Sequence, residues 1–432
     1  MTRFEPSGSL RGDYSPPPDK SISHRAALFG AMADEPVTIR NYLDSADTRS
    51  TLDALLTVGA AVDEGTGGSV VVRGVGLRAA HEATGGHLNV GNSGTLMRLL
   101  PGWLAGQPGG VWTLDGDESI RRRPVDRVVE PLAAMGAGLE ARDGRYPPLT
   151  VRGAELRGIE YELPVASAQV KSCVLIAGML AGGHTAVTER SQSRDHTERM
   201  LRRARVPFQQ DGLRMQVSQV DELELDEVVV PGDPSSAAFV VAAATLVPDS
   251  RIVIRDVGLN WTRTGFLRIA ERMGAVILGQ LEQPGTVADE EPVGEVDVAS
   301  SSLEGTTVEP EEVPLAVDEL TLVGLLGAFA DGETVVRGAQ ELRHKESDRI
   351  AAVVEGLRGL GADIEETEDG FAVRGDGAPL EGGILDAHGD HRMAMLGAVA
   401  GLASREGVEV QGMETAAVSY PGFEADLRAL LS

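Results

Sequence analysis

One helix-strand unit is written six times along the 432 residues, and the groups able to bind anions or move protons crowd the starts of its helices. The starts are Lys20-Ser-Ile-Ser-His-Arg25, Asn92-Ser-Gly-Thr95-Leu-Met-Arg98, Ser167-Ala-Gln169-Val-Lys171, Asp233-Pro-Ser235-Ser236, Asp318-Glu319 and Asp390-His391-Arg392. An apolar, Ala/Leu-rich run follows each, then a β-like stretch such as 37–40, 185–188, 251–254, 334–337 or 408–410. A single copy cannot bury its own apolar face, so the copies must stack, and a site at the helix starts must draw on many of them.

A second amphipathic helix recurs at 47–60, 122–137, 195–207, 263–275 and 348–362. Four of the five end in Gly-Ala, at Gly59, Gly136, Gly274 and Gly361, the residue type that closes a helix in the left-handed conformation. The third ends at Val206-Pro207, where proline supplies the stop. The sixth copy is the short C-terminal run from Tyr420. The unit reads helix, strand, helix, strand over roughly seventy residues.

A net charge of -27 disfavours nucleic acid or an anionic membrane as partner, since both need a basic face. No basic segment followed by an apolar run opens the sequence, and no apolar stretch of spanning length is present, so a cytoplasmic chain is expected. The single cysteine, Cys173, lies in an apolar helix and reads as core. The segment 281–313 carries no Lys or Arg and reads as a solvated loop or hairpin extension. Against this background the run Arg121-Arg122-Arg123, with Lys20, Arg25, Arg98, Lys171, Arg194, Lys345, Arg349 and Arg392, points to a small polyanionic substrate.

At the first start, Pro16-Pro-Pro18 holds the chain extended, Asp19 or Ser21 can cap, and Lys20 and Ser21 lie where free N–H groups favour phosphate or carboxylate. Gly91-Asn92-Ser-Gly94-Thr95 lets backbone approach an anion, with Arg98 one turn in. In the fifth copy Lys345 and Arg349 are four apart, on one helical face, where a shared anion would relieve their repulsion. Glu346 beside them suits acid-base work. Taken singly, each motif also fits a capped or salt-bridged helix start. His388-Gly-Asp390-His391-Arg392 lacks the further ligands of a metal site, and no metal is expected.

Together, 19–25, 91–98, Arg122-Arg-Pro124, 167–171, Ser193-Arg-Asp-His-Thr197, Gly232-Asp233 with Ser235-Ser236, 345–349 and 389–392 run in order along the chain, and the chain resembles the 5-enolpyruvylshikimate-3-phosphate synthase family. The resemblance implies an α/β chain, a two-domain inside-out α/β barrel of six βαββαβ repeats, three per domain. The first domain would be 20–232 and the second 1–19 with 233–432, the chain crossing near 18–20 and 231–233. It also implies transfer of the enolpyruvyl group of phosphoenolpyruvate to the 5-hydroxyl of shikimate 3-phosphate by addition and elimination, with release of phosphate. The setting would be chorismate and aromatic amino acid synthesis, in a monomer needing no cofactor. By matching position, shikimate 3-phosphate would meet Lys20, Ser21, Arg25, Ser167, Ala168 through its backbone, Gln169, Ser193, Asp318 and Lys345. Phosphoenolpyruvate would meet Lys20, Asn92, Gly94, Thr95, Arg123, Gln169, Lys345, Arg349 and Arg392. Asp318, Glu346 and Lys20 match the candidates for proton transfer, without an assignment of which moves which proton. Walls contributed by two domains would have to close to react.

The chain departs from that pattern at Pro18, where glycine is usual, at Trp261, a usual proline, and at Val418, which replaces a lysine some members carry. The cation set is otherwise intact, so altered affinity with retained chemistry is expected. Gly94, without a side chain, resembles members sensitive to the inhibitor glyphosate. The related transferase acting on UDP-N-acetylglucosamine, which carries a reactive loop cysteine, is the nearest rival. A catalytically inactive anion-binding scaffold is the rival from another class.

Overall fold

The computed structural model describes residues 1–81 and 87–431. It divides into two compact units, one made of Met1–Pro17, Pro231–Thr286 and Pro292–Ser432, the other of Pro18–Val230 and Val287–Glu291. Each unit has its own apolar core.

Six small sheets account for the named strands. In the unit containing Lys20, Glu160–Glu162 runs parallel to His184–Thr188, which pairs antiparallel with Arg214–Ser218, itself antiparallel to Phe208–Asp211. The same parallel, antiparallel, antiparallel order holds for the sheet built on Val111–Asp115 and the one built on Val37–Arg40. In the other unit it holds around Arg251–Gly258 and Asp331–Val336. The sixth sheet is shorter: Gly383–Asp386 runs parallel to Val408–Gln411, and the third strand, Thr2–Phe4, comes from the N-terminus.

Along the chain one copy therefore reads strand, helix, strand, helix, strand, strand, as in 160–218, rather than the expected βαββαβ or the helix-strand alternation of the bare sequence. The missed strands are the parallel edges, such as His87–Asn89 and Glu160–Glu162. At three residues they are too short for an alternating pattern to show.

The first helix of each copy is buried on nearly all sides. Lys20–Met32 is buried from Ile22 to Met32, Ala168–Leu180 from Val170 onward, and Leu320–Phe329 and His391–Ala403 throughout. Helices apolar all round belong in a core, and here the charged groups lie toward their N-terminal ends. Those ends are fixed by side-chain caps from Asp19, Ser93, Ser167, Asp233 and Asp390. The second helices close as read: Gly59, Gly136, Gly274 and Gly361 take φ of 102°, 113°, 103° and 98°. In the third copy Arg205, at φ 56°, takes that conformation just before Val206-Pro207.

Of the two readings of the acidic segment, the hairpin extension holds for its first part: 280–292 joins the antiparallel strands Val276–Gly279 and Val293–Ala299, and the tip, Val287–Glu291, packs within the unit that holds the His196–Arg203 helix. There His196 Nδ1 meets Glu291 at 2.6 Å, Arg199 donates to the Glu290 carbonyl and Arg202 to that of Ala288. Trp261, at the departure from the family's proline, anchors the base of the segment by donating its ring N–H to the Thr286 carbonyl. Among the described residues no helix is long and apolar enough to cross a membrane.

The charge has a visible distribution. The chain has three lysines, Lys20, Lys171 and Lys345, with side chains 20%, 0% and 30% exposed, so the outward cations are arginines. Many stand in exposed pairs such as Arg255 with Asp13 and Arg374 with Glu333 and Glu365. Exposed pairs contribute about 0–1 kcal/mol each, too little to offset the self-repulsion of -27 charges at low salt. The thermal unfolding midpoint, followed by circular dichroism, should therefore rise by several degrees as KCl goes from about 0.05 M to about 1 M. A falling midpoint would mean that the surface pairs, not the repulsion, dominate.

Candidate active site

In the unit containing Lys20, three helix starts converge through side-chain contacts. Lys20 Nζ lies 2.8 Å from Asp47 Oδ2, across from the second helix Ala46–Thr57. One turn along both helices, His24 Nδ1 meets Thr51 Oγ1 at 2.6 Å, and its Nε2 faces Ser93, the cap of Gly94–Ala105. Burial lowers the His24 pKa to about 3, so the ring stays neutral at working pH and serves as a fixed bridge. Lys20 is thus paired with a carboxylate of the neighbouring helix in this structure.

Gln169 links the second and third starts. It accepts from Arg98 Nη1 at 3.0 Å and donates to Thr95 Oγ1 at 3.0 Å. Arg123 Nη2 donates to Asn92 Oδ1 and Ser119 Oγ, both at 3.0 Å. A Cβ built on Gly94 would stand 2.9 Å from Arg123 Nη1 and 3.0 Å from Arg98 Nη1, so the missing side chain leaves room for two guanidinium groups. Of the basic run only Arg123 turns inward. Arg121 and Arg122 are exposed and paired with Asp115 and Glu118, and so leave the proposed binding set.

Arg25 is buried on the same unit. It donates to Thr197 Oγ1 at 2.8 Å, Ser172 Oγ at 3.0 Å and the Ser21 carbonyl at 3.0 Å. Burial lowers its pKa to about 10, against the pull of Glu198 and Asp19, which leaves it charged. Lys171 corrects an expectation. Its side chain is 0% exposed and its ammonium sits 2.8 Å from Glu189 and 2.6 Å from Glu198, so it belongs to the interior and not to the anion-binding set. Glu189 in turn accepts from the Ser193 hydroxyl. Burial, with Asp195 and Glu189 nearby, raises the Glu198 pKa. Cys173, on the same helix, is buried, and burial raises its thiol pKa far above the usual range.

The second unit gathers Asp318, Lys345, Glu346, Arg349, Asp390 and Arg392. Arg349 donates Nε to Asp390 at 2.8 Å, Nη1 to Asp318 at 3.1 Å and Nη2 to Glu346 at 2.5 Å. Burial opposes its charge, yet Asp390, Glu346 and Asp318 outweigh that and raise the guanidinium pKa. Arg349 likewise outweighs burial at Asp390 and holds that carboxyl below the usual range. Lys345 Nζ lies 3.6 Å from Asp318, and Arg392 donates to the Asp318 carbonyl at 2.8 Å. Arg392 also meets Glu319 at 3.4 Å, and Glu319 accepts from Ser235, which with Asp233 receives Arg263.

Asp47, Glu189 and Arg263 are not marked as site residues by the sequence, and Glu319 and Asp390 are marked only as members of helix-start motifs. Each works through a partner distant along the chain: 27 positions separate Lys20 from Asp47, and 41 separate Arg349 from Asp390. No local pattern marks such pairs.

Residues 4–427 match the family model for EPSP synthase (3-phosphoshikimate 1-carboxyvinyltransferase). A 3-phosphoshikimate 1-carboxyvinyltransferase of Desulfitobacterium hafniense is 47% identical over 98% of this chain and 95% of its own. One of Oceanobacillus iheyensis is 43% identical over 98% of both chains. The solved EPSP synthase of Acinetobacter baumannii superposes with a TM-score of 0.86 at 37% identity, covering 100% of this chain and 98% of its own. The enolpyruvyl transferase NikO of Streptomyces tendae, at 18% identity and TM-score 0.77, shares the fold. The chain belongs to the EPSP synthase (3-phosphoshikimate 1-carboxyvinyltransferase) family.

Proposed function

We propose that these side chains carry the family's reaction, transfer of the enolpyruvyl group of phosphoenolpyruvate to the 5-hydroxyl of shikimate 3-phosphate with release of phosphate. The observation that carries the assignment of roles is that buried or half-buried cations, each held by a carboxylate or amide, stand at the capped helix starts of both units or, for Arg123, against the residue before one. Two substrates that each bring phosphate and carboxylate need such a set, and fixed guanidinium forks suit them.

Shikimate 3-phosphate is assigned to Lys20, Ser21, Arg25, Ser167, the Ala168 backbone, Gln169, Ser193, Asp318 and Lys345. Ser167 caps its helix by accepting from the Val170 N–H, so it brings the free amides of that turn with it. Phosphoenolpyruvate is assigned to Lys20, Asn92, Gly94, Thr95, Arg123, Gln169, Lys345, Arg349 and Arg392. In the addition step the methylene carbon gains a proton while the 5-hydroxyl loses one and its oxygen bonds to C2; the tetrahedral adduct then expels phosphate as the new methyl group gives up a proton, which restores the double bond. Lys20, paired with Asp47, and Asp318 and Glu346, both paired with Arg349, are the groups placed to move these protons.

A phosphate-release assay with phosphoenolpyruvate and shikimate 3-phosphate should show turnover, with little release when UDP-N-acetylglucosamine is the acceptor. Release with the nucleotide sugar alone would overturn the reading. Gly94→Ala should raise the KM for phosphoenolpyruvate several-fold and weaken inhibition by glyphosate, because the added methyl crowds Arg123 and Arg98. Unchanged KM and inhibition in a glyphosate titration would remove Gly94 from that pocket.

A further inference from the structure

Every nitrogen of the Arg349 guanidinium already donates to a carboxylate in this structure, which is at odds with a group assigned to bind substrate. Its Nε goes to Asp390, Nη1 to Asp318, and Nη2 to Glu346 and, at 3.4 Å, to Asp390 again. The partners are not equivalent. The Asp390 side chain is 0% exposed, whereas those of Asp318 and Glu346 are 16% and 17% exposed, so the edge that solvent reaches is the one those two hold.

Between them the choice is set by anchoring. Asp318 stands at the entry to Leu320–Phe329 and is shared by Lys345, Arg349 and Arg392. Glu346 lies on the short non-helical stretch between the turn Gln340–His344 and the helix Arg349–Gly359, where it can swing away without breaking a helix.

We propose that the anion of phosphoenolpyruvate replaces Glu346 on the Nη2 edge of Arg349, so that binding this substrate is what frees Glu346 for proton transfer. The inference rests on assigning Arg349 to phosphoenolpyruvate. Paired with Arg349, the Glu346 carboxylate is a counterion; displaced from that guanidinium, it can take up or give up a proton beside the reacting molecule. Substrate and Glu346 compete for one edge of one guanidinium. Removing the competitor's charge must therefore tighten binding while it abolishes the chemistry the competitor performs, and no merely structural role moves the two in opposite directions.

Calorimetric titration of phosphoenolpyruvate into Glu346→Gln should show roughly tenfold tighter binding than wild type, and residual turnover should show a lower KM with kcat reduced at least a hundredfold. Glu346→Asp, whose shorter side chain strains the pair, should bind with intermediate affinity. On an Arg349→Lys background, which keeps a cation for the fold, Glu346→Gln should bring no tightening. Unchanged or weaker binding by Glu346→Gln overturns the exchange, as does a gain that persists on the Arg349→Lys background, which would reflect bulk charge alone. If Arg349→Lys alone binds phosphoenolpyruvate as wild type does, the substrate assignment of Arg349 fails, and the exchange with it.

Discussion

The buried pair of Arg349 with Asp390 is the interaction on which one half of the candidate site depends. The Arg349 side chain is 2% exposed and that of Asp390 0%, so neither charge is held by water. Asp390 also caps His391–Ala403, the helix that carries Arg392, and accepts from Ser347. Through Asp318 and Glu346, Arg349 adds the entry to Leu320–Phe329 and the stretch before its own helix. Removing one partner of such a buried pair typically costs about 3–5 kcal/mol, because the other charge is stranded. Helix starts that are far apart in sequence are thereby fixed relative to one another by charge within this unit.

The unit containing Lys20 solves the same problem with different chemistry. Its cations are held mostly by neutral acceptors: Arg123 by Asn92 and Ser119, Arg98 by Gln169, Arg25 by Thr197 and Ser172. In the other unit Arg349 is held by three carboxylates, Asp390, Asp318 and Glu346. The two units thus hold these cations with different counter-groups.

The helix starts were legible because cap, cation and following apolar run are contiguous, as in Asp19-Lys20 before Ile22–Met32. The four Gly-Ala closures were legible for the same reason. What sequence could not show was pairing at a distance. Lys171 looked like a ligand because lysine is rarely buried, and only Glu189 and Glu198 reveal it as interior. Arg121, Arg122 and Arg123 are alike as letters; the short turn Ile120–Arg122 leaves the first two outside and brings the third in. The three-residue parallel edge strands gain their stability from the neighbouring strand, not from their own pattern, so the repeat was read without its first strand.

The most direct test of the claim that buried carboxylates hold the substrate-binding cations in place is the affinity of Asp390→Asn for phosphoenolpyruvate. Asparagine caps a helix about as well as aspartate, so the fold can be retained, and checked by thermal unfolding, while the charge that fixes Arg349 is lost. The account predicts a folded protein that binds phosphoenolpyruvate at least about tenfold more weakly. A folded Asp390→Asn that binds it as tightly as wild type would contradict the account.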